Sequence, residues 1–393
     1  MERRRLAGIV LLVLSAFTGT LAFRLATPAI AFYTRDTLSA SMLAVSIVSM
    51  SFVLARAFSS VFGGLLLEKR KSLLHIGGIA MMGGNALAVH LYPLTSNWIQ
   101  VAGIKLLNGF LNGLSWPMAQ FVVAVATPRE IRARVTAVYF FFGSIASLIG
   151  NYAYAYTIDL GLSGQMWVSS VFFVLTGLIM IIAYILLNDW VAPKREKKSS
   201  QRPSLDPGKV LVIASLMAVI VAFTSGEITY VYVSEALGLE KATTATLLGG
   251  WVGFFASLLS YFSSWFADKV SEVGMVKLTA VLAGISPILA AVKTSFTVFF
   301  GIFLALFAFQ SFRPISRKVL ASYHRSSLAI GGGVNGVQNL STFIGGGVLF
   351  GLAYSIGEIP IGGVTLNGGA LLAFTPVSLA LLIQAVKLKG GRE

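Results

Sequence analysis

GGLLLEKRKS (63–72) closes a long apolar run with one acid, Glu68, followed at once by Lys69, Arg70 and Lys71. Two hundred positions further on, SWFADKVSE (264–272) repeats the arrangement: Asp268 ends an apolar run and Lys269 follows it. Each charged turn is the second in its half of the chain. The same turn set between the same pair of membrane-length runs marks an internally duplicated helical membrane protein.

The composition agrees. Of 393 residues, 56% are hydrophobic and only 11% charged, too few charges to cover a soluble surface of this size. Apolar runs of about 18 residues or more recur along the whole length, which predicts an all-α polytopic membrane protein. A spanning barrel would show short alternating segments instead. No cysteine is present, so disulfides, thiolate nucleophiles and cysteine metal sites are excluded. The three histidines, His75, His90 and His324, are far apart in sequence, and no metal or other cofactor is expected. MERRR and the apolar run after it superficially resemble a secretory leader. The run is long for a leader core and contains Arg24, so it reads as the first span.

Helices are predicted at 6–33, 40–66, 73–92, 98–126, 133–157, 164–187, 209–235, 243–266, 275–292, 295–321, 328–356 and 368–387. The polar stretch NDWVAPKREKKSSQRPSLDPGK (188–209) divides them. Residues 1–187 then form an N-terminal six-helix bundle, 188–208 a cytoplasmic linker, and 209–393 a C-terminal six-helix bundle. The net charge of +15 would suggest nucleic acid in a soluble protein, but its distribution argues otherwise. With the N-terminus inside, 23 of the 30 Lys and Arg fall on inner segments and only Arg35, Lys241 and Lys293 on outer ones. That asymmetry orients a cell-membrane protein with both termini cytoplasmic and accounts for the charge without nucleic acid. Spans 1 and 7 both start inside, so the halves are related by a parallel pseudo-two-fold. AFTG (16–19) and AFTSG (222–226), and Trp116-Pro117 and Arg313-Pro314, echo each other at the same offset of about 200.

With these features the chain resembles the major facilitator superfamily. Gly64, Glu68, Lys69 and Lys71 match that family's signature between spans 2 and 3, with Glu in place of Asp. Ala267, Asp268 and Lys269 form its second copy, and Lys105 with Gly109 matches its span-4 pattern. GSIASLIGN (143–151) lacks the proline that marks drug/proton antiporters of the family. The resemblance implies a twelve-helix secondary transporter working by alternating access, with spans 1, 4, 7 and 10 lining a central cavity. It implies that Glu68 latches to the start of span 11 and to Arg132 or Arg134, and Asp268 to the start of span 5 and to Arg325. Lys69 and Lys269 belong to the same latches, which would hold the outward-open state. An acid at a helix N-terminus gains from the positive end of the dipole.

Charges inside spans need a partner or a wet cavity. The chain has Arg24, Arg56, Lys105, Glu227 and Arg313, all on cavity or flanking spans. Helical spacing puts polar residues beside them: Lys105, Asn108, Asn112 and Ser115; Thr20, Arg24 and Thr27; Thr224, Glu227, Tyr230 and Ser234; Asn335, Gln338, Asn339 and Thr342. Such stripes serve either a substrate or helix packing. The expected binding set is Arg24, Lys105, Asn108, Asn112, Tyr230, Arg313, Asn335 and Gln338, with Arg56 a further cation. Glu227, the lone acid within the spans, is the expected proton site. Four cations against one acid favour a small organic anion as substrate, with H+ as a possible coupling ion and a monomer among membrane lipids as the working unit. Two alternatives stand beside this. One is an exporter of lipophilic cations using Glu227, Phe17, Tyr33, Trp116, Tyr230 and Trp251; the other is a sensor built on a transporter body. No catalytic cluster points to an enzyme.

Overall fold

The computed structural model describes residues 2–69, 73–128, 131–191, 205–269, 271–323, 336–361, 364–366 and 371–388. The described helices fall into twelve rods. In the first half these are α1 (Arg3–Phe32), α2 (Met42–Lys69), α3 (Leu74–Leu94), α4 (Trp98–Ala126), α5 (Arg132–Tyr156) and α6 (Gly161–Leu187). The second half has α7 (207–237), α8 (241–269), α9 (Glu272–Ala291), α10 (Ser295–Tyr323), α11 (Gly336–Ile356) and α12 (Thr375–Val386). Among the described residues eight rods are long and apolar enough to cross a membrane, and α7 makes a ninth if its two bent pieces count as one. Local chemistry sets several starts. Asn97 accepts the Gln100 amide at the head of α4, Asp206 caps α7 ahead of Pro207, and Ser271 caps α9.

Packing repeats between the halves. α2 lies on α4 as α8 lies on α10; α3 on α6 as α9 on α12; α1 on α6 as α7 on α12. The halves meet where α5 packs on α8, α11 on α2, and α7 on α1 and α2. Large apolar side chains such as Phe62, Trp167, Phe296 and Leu352 stay exposed on the outside of the bundle, as lipid contact requires. The molecule is an all-α polytopic membrane protein.

Four details depart from the sequence reading. α2 and α8 continue through Lys69 and Lys269, so Glu68 and Asp268 lie on helix backbone rather than in loops, because the apolar pattern ends before the hydrogen-bonded ladder does. α7 is broken at Ser225 into Pro207–Ile220 and Gly226–Leu237, which meet at 50°. α12 begins at Thr375, and the connection between α11 and α12 carries a small antiparallel ribbon, β1 (Ile359–Ile361) with β2 (Val364–Leu366). Finally, α8 and α11 each contain a π-helical stretch, Ala245–Val252 and Ile344–Phe350, where Gly249, Gly250, Gly346 and Gly347 face the other half.

Candidate functional site

The break in α7 creates the centre of the site. Gly226 has φ +53°, a conformation that L side chains rarely adopt, and a Cβ there would meet Ser49 Oγ at 2.5 Å. The chain restarts as a helix at Gly226, so Glu227 lies in the first turn of a new helix, beside unpaired amides and the positive end of its dipole. Its side chain is 3% exposed and forms an ion pair with Lys105 of α4, itself 8% exposed. This pair ties one half of the molecule to the other.

Glycine also positions Lys105. Gly109 and Gly113 lie directly on the α2 backbone and on Ser59, so α4 and α2 approach closely. Phe52 of α2 is thereby held 5.7 Å from the Lys105 ammonium, and the Tyr92 ring lies at 6.0 Å. Asn108, one turn further along α4, uses both ends of its amide on α3. It accepts from the Tyr92 hydroxyl and donates to Asn85 Oδ1 at 3.0 Å. Ser115 donates to the Gly77 carbonyl of α3 at 2.8 Å. Much of the α4 polar stripe therefore joins helices within one half. Asn112 is buried and its Oδ1 has no partner.

A second cross-half cluster lies beside the ion pair. Tyr230, one turn beyond Glu227, donates to Asn151 Oδ1 of α5 at 2.6 Å, with the Arg24 guanidinium near the same hydroxyl. The stem of Arg24 packs over Gly150 of α5. Trp251 donates to Tyr152 at 2.7 Å, joining α8 to α5. Arg56 lies on α2 and Arg313 on α10, where the Arg313 Nε–H is buried without an acceptor. The Arg313 guanidinium stacks 5.5 Å from Phe309. Gln338 is buried on α11. Asn335 and Arg325 lie outside the described residues, as do the side chains of Glu68, Lys69, Arg132, Arg134, Asp268 and Lys269, so the latch residues contribute no geometry.

Sequence reasoning missed the charge locks at the far end of the bundle, where α1 stops. Arg35 pairs with Glu235 at 2.5 Å, and Tyr354 donates to the same carboxylate. Lys241 pairs with Asp36 at 2.6 Å and lies 5.7 Å from the Phe32 ring. Both pairs cross between the halves. Lys293 pairs with Glu358 at 2.5 Å inside the second half. The signal was in the chain: Arg35-Asp36 ends α1 as Glu235, with Lys241 soon after, ends α7, at the offset of 200 already seen in the duplication.

Comparison with known proteins agrees with this architecture. A nucleoside transporter, NupG, superposes with a TM-score of 0.71 at 13% identity, covering 97% of this chain and 99% of that one. The human organic anion transporter MFSD10 gives 0.67 at 15% identity, covering 98% and 99%. A POT family transporter in complex with 5-aminolevulinic acid gives 0.70 at 12%, covering 97% and 95%. No curated protein matches the sequence significantly. The model of the Major Facilitator Superfamily matches residues 12–350. With that match spanning most of the chain and twelve rods packed as two similar halves, the chain belongs to the major facilitator superfamily of transporters.

Proposed function

We propose that this secondary transporter moves a small organic anion across the membrane, coupled to a proton carried at Glu227. One observation carries the reading. Of the five ionisable side chains set within the spans, the only acid is spent on Lys105, and among the described residues no carboxylate pairs with Arg24, Arg56 or Arg313. Three guanidiniums at the junction of the halves favour an anion and oppose a lipophilic cation. The structural neighbours carry different solutes on one fold, so the substrate class is argued from side chains alone.

The proton enters through the same pair. A neutral Glu227 no longer attracts Lys105, so protonation loosens the deepest charged link between halves while freeing an ammonium for the substrate. An anion arriving at Lys105 and Arg24 would compete with Glu227 for the same cation. Substrate and proton are thereby linked, since each weakens the contact that holds α4 to α7.

Reconstitution in proteoliposomes tests this. Organic anions should accumulate in response to a pH gradient, and Glu227→Gln should retain anion exchange while losing its pH dependence. Uptake of lipophilic cations with no uptake of anions would replace this reading with the cation exporter.

A further inference from the structure

The Lys105–Glu227 pair has unequal ends. On the first half two aromatic faces lie against the ammonium, with Phe52 of α2 at 5.7 Å and Tyr92 of α3 at 6.0 Å from nitrogen to ring centre. Both fall within the span of about 6 Å over which a ring face attracts a cation. On the second half Glu227 Oε1 is buried and has no hydrogen-bond partner, so that oxygen is held by the ion pair alone.

Each ring is fixed by contacts that stay within the first half. Gly109 of α4 lies on the Phe52 backbone, and the Phe52 ring meets Phe23 of α1 edge-on at 5.8 Å. Phe23 in turn meets Phe173 of α6 edge-on at 4.7 Å. The Tyr92 hydroxyl donates to Asn108, and Asn108 donates to Asn85. Asn85 ends a π-helical stretch of α3, Ala80–Asn85, and donates back to the Ala80 carbonyl at 3.3 Å. Tyr92, Asn108 and Asn85 are all buried. Nothing in this bracket touches α7, so it keeps its shape when α7 moves away.

We propose that Phe52 and Tyr92 are positioning residues for Lys105: they hold its ammonium charged and on the first half when the contact with Glu227 is lost. The proposal rests on the proton-coupled anion reading and adds which partner stays charged. The pair can be discharged by a proton reaching Glu227 or by one leaving Lys105. A ring face attracts an ammonium but has little hold on a neutral amine. The rings therefore select the first route. The substrate's cation then stays with the first half, and the proton travels with the second.

The other titratable groups around the pair are few. Tyr92 lies on α3, Tyr230 is one turn along α7, and Arg24 of α1 is near the Tyr230 hydroxyl. α2 presents Phe52 and Ser49, and α5 presents Asn151, none of which titrates.

The test replaces Phe52 in the full-length protein by phenylalanines carrying one, two and three ring fluorines, introduced by nonsense suppression. Shape is nearly kept while the negative ring face is progressively lost. Stability is read by denaturant titration in detergent without ligand, in the wild type and in Glu227→Gln. In Glu227→Gln the rings are the ammonium's remaining support, so the trifluoro residue should lower the folding constant about five-fold, against about two-fold in the wild type at pH 8. In the wild type the loss should grow between pH 8 and pH 5, as Glu227 takes up its proton. Phe52→Leu should match the trifluoro residue and Phe52→Tyr should restore stability. Tyr92→Leu should likewise cost more in Glu227→Gln than in the wild type, and Tyr92→Phe should restore most of it. If a leucine variant fails to fold, the fluorine series still decides. A flat fluorine series, or equal losses in both backgrounds and at both pH values, means that the rings only pack, and overturns the proposal. If the series behaves as expected while no organic anion accumulates under a pH gradient, the transport reading falls and the rings' hold on Lys105 stands.

Discussion

Lys105 and Glu227 illustrate how costly a buried charge becomes when its partner is taken away. Either Lys105→Ala or Glu227→Ala leaves one ion uncompensated in a low dielectric and should destabilise the protein by about 3–5 kcal/mol. Replacing both with apolar residues of similar size should recover most of that loss, since neither desolvation cost then remains. Denaturation of the two single variants and the double variant in detergent checks the cycle. Strictly additive losses would show that the pair is not coupled. Gly226 is the residue on which the pair depends. Gly226→Ala must accept a left-handed φ and push Ser49 aside, so it should cost about 1–3 kcal/mol and weaken the pH response together with Glu227→Gln. The in-span charges were legible in the chain because an ionisable residue within an apolar run stands out. Their partners were not. Lys105 could be matched to Glu227 only once the break in α7 had turned that carboxylate toward α4, and TSGE (224–227) looks like an uninterrupted helix to a hydropathy pattern.

At the scale of elements, the far end is held by the crossed pairs Arg35–Glu235 and Lys241–Asp36 and by glycines of α11 lying on α2. Each pair is partly exposed and worth at most about 1 kcal/mol, so the locks bias a conformation rather than secure the fold. Packing adds to them. A Cβ on Gly351 would meet Leu43 at 2.9 Å and Ser46 at 3.0 Å, so Gly351→Leu should wedge α11 from α2 and open that end. The chain has no cysteine, which makes Ser49→Cys a clean reporter. Its labelling by a membrane-impermeant thiol reagent should rise when Gly351→Leu, or Glu235→Gln with Asp36→Asn, is added. Unchanged labelling in both backgrounds would show that the far end is not a gate. Rod positions were largely readable from the sequence, since apolar runs define where a helix must cross lipid; α4 begins and ends where its pattern does. The ribbon before α12 was not, because it lies in the connection between the predicted eleventh and twelfth helices, where hydropathy marks no strand.

Across the whole molecule opposite charges join the first half to the second at two depths, the crossed pairs at the far end and Lys105–Glu227 further in. Alternating access requires both sets of pairs to part when that end opens. Paired turns and echoes two hundred residues apart were visible in the chain, and rods pack in matching pairs at that spacing. The ion pairs between the first and second halves were not visible, because no spacing within one helix reports which residues meet across it.

The crossed locks have one further consequence. The doublet Arg35-Asp36 carries no net charge, and neither does Glu235 taken with Lys241. When the far end opens, each half therefore withdraws a neutral set of groups, and no net charge crosses the electric field of the membrane. A single displaced charge would be worth about 2.3 kcal/mol per 100 mV, so a lock built from one unmatched pair would open or close with the membrane potential. This one is electrically silent. Voltage sensitivity in the transport cycle is left to the charges set within the spans and to the solute that crosses, and neutralising one of the two lock pairs by Arg35→Gln with Glu235→Gln should leave any gating current unchanged.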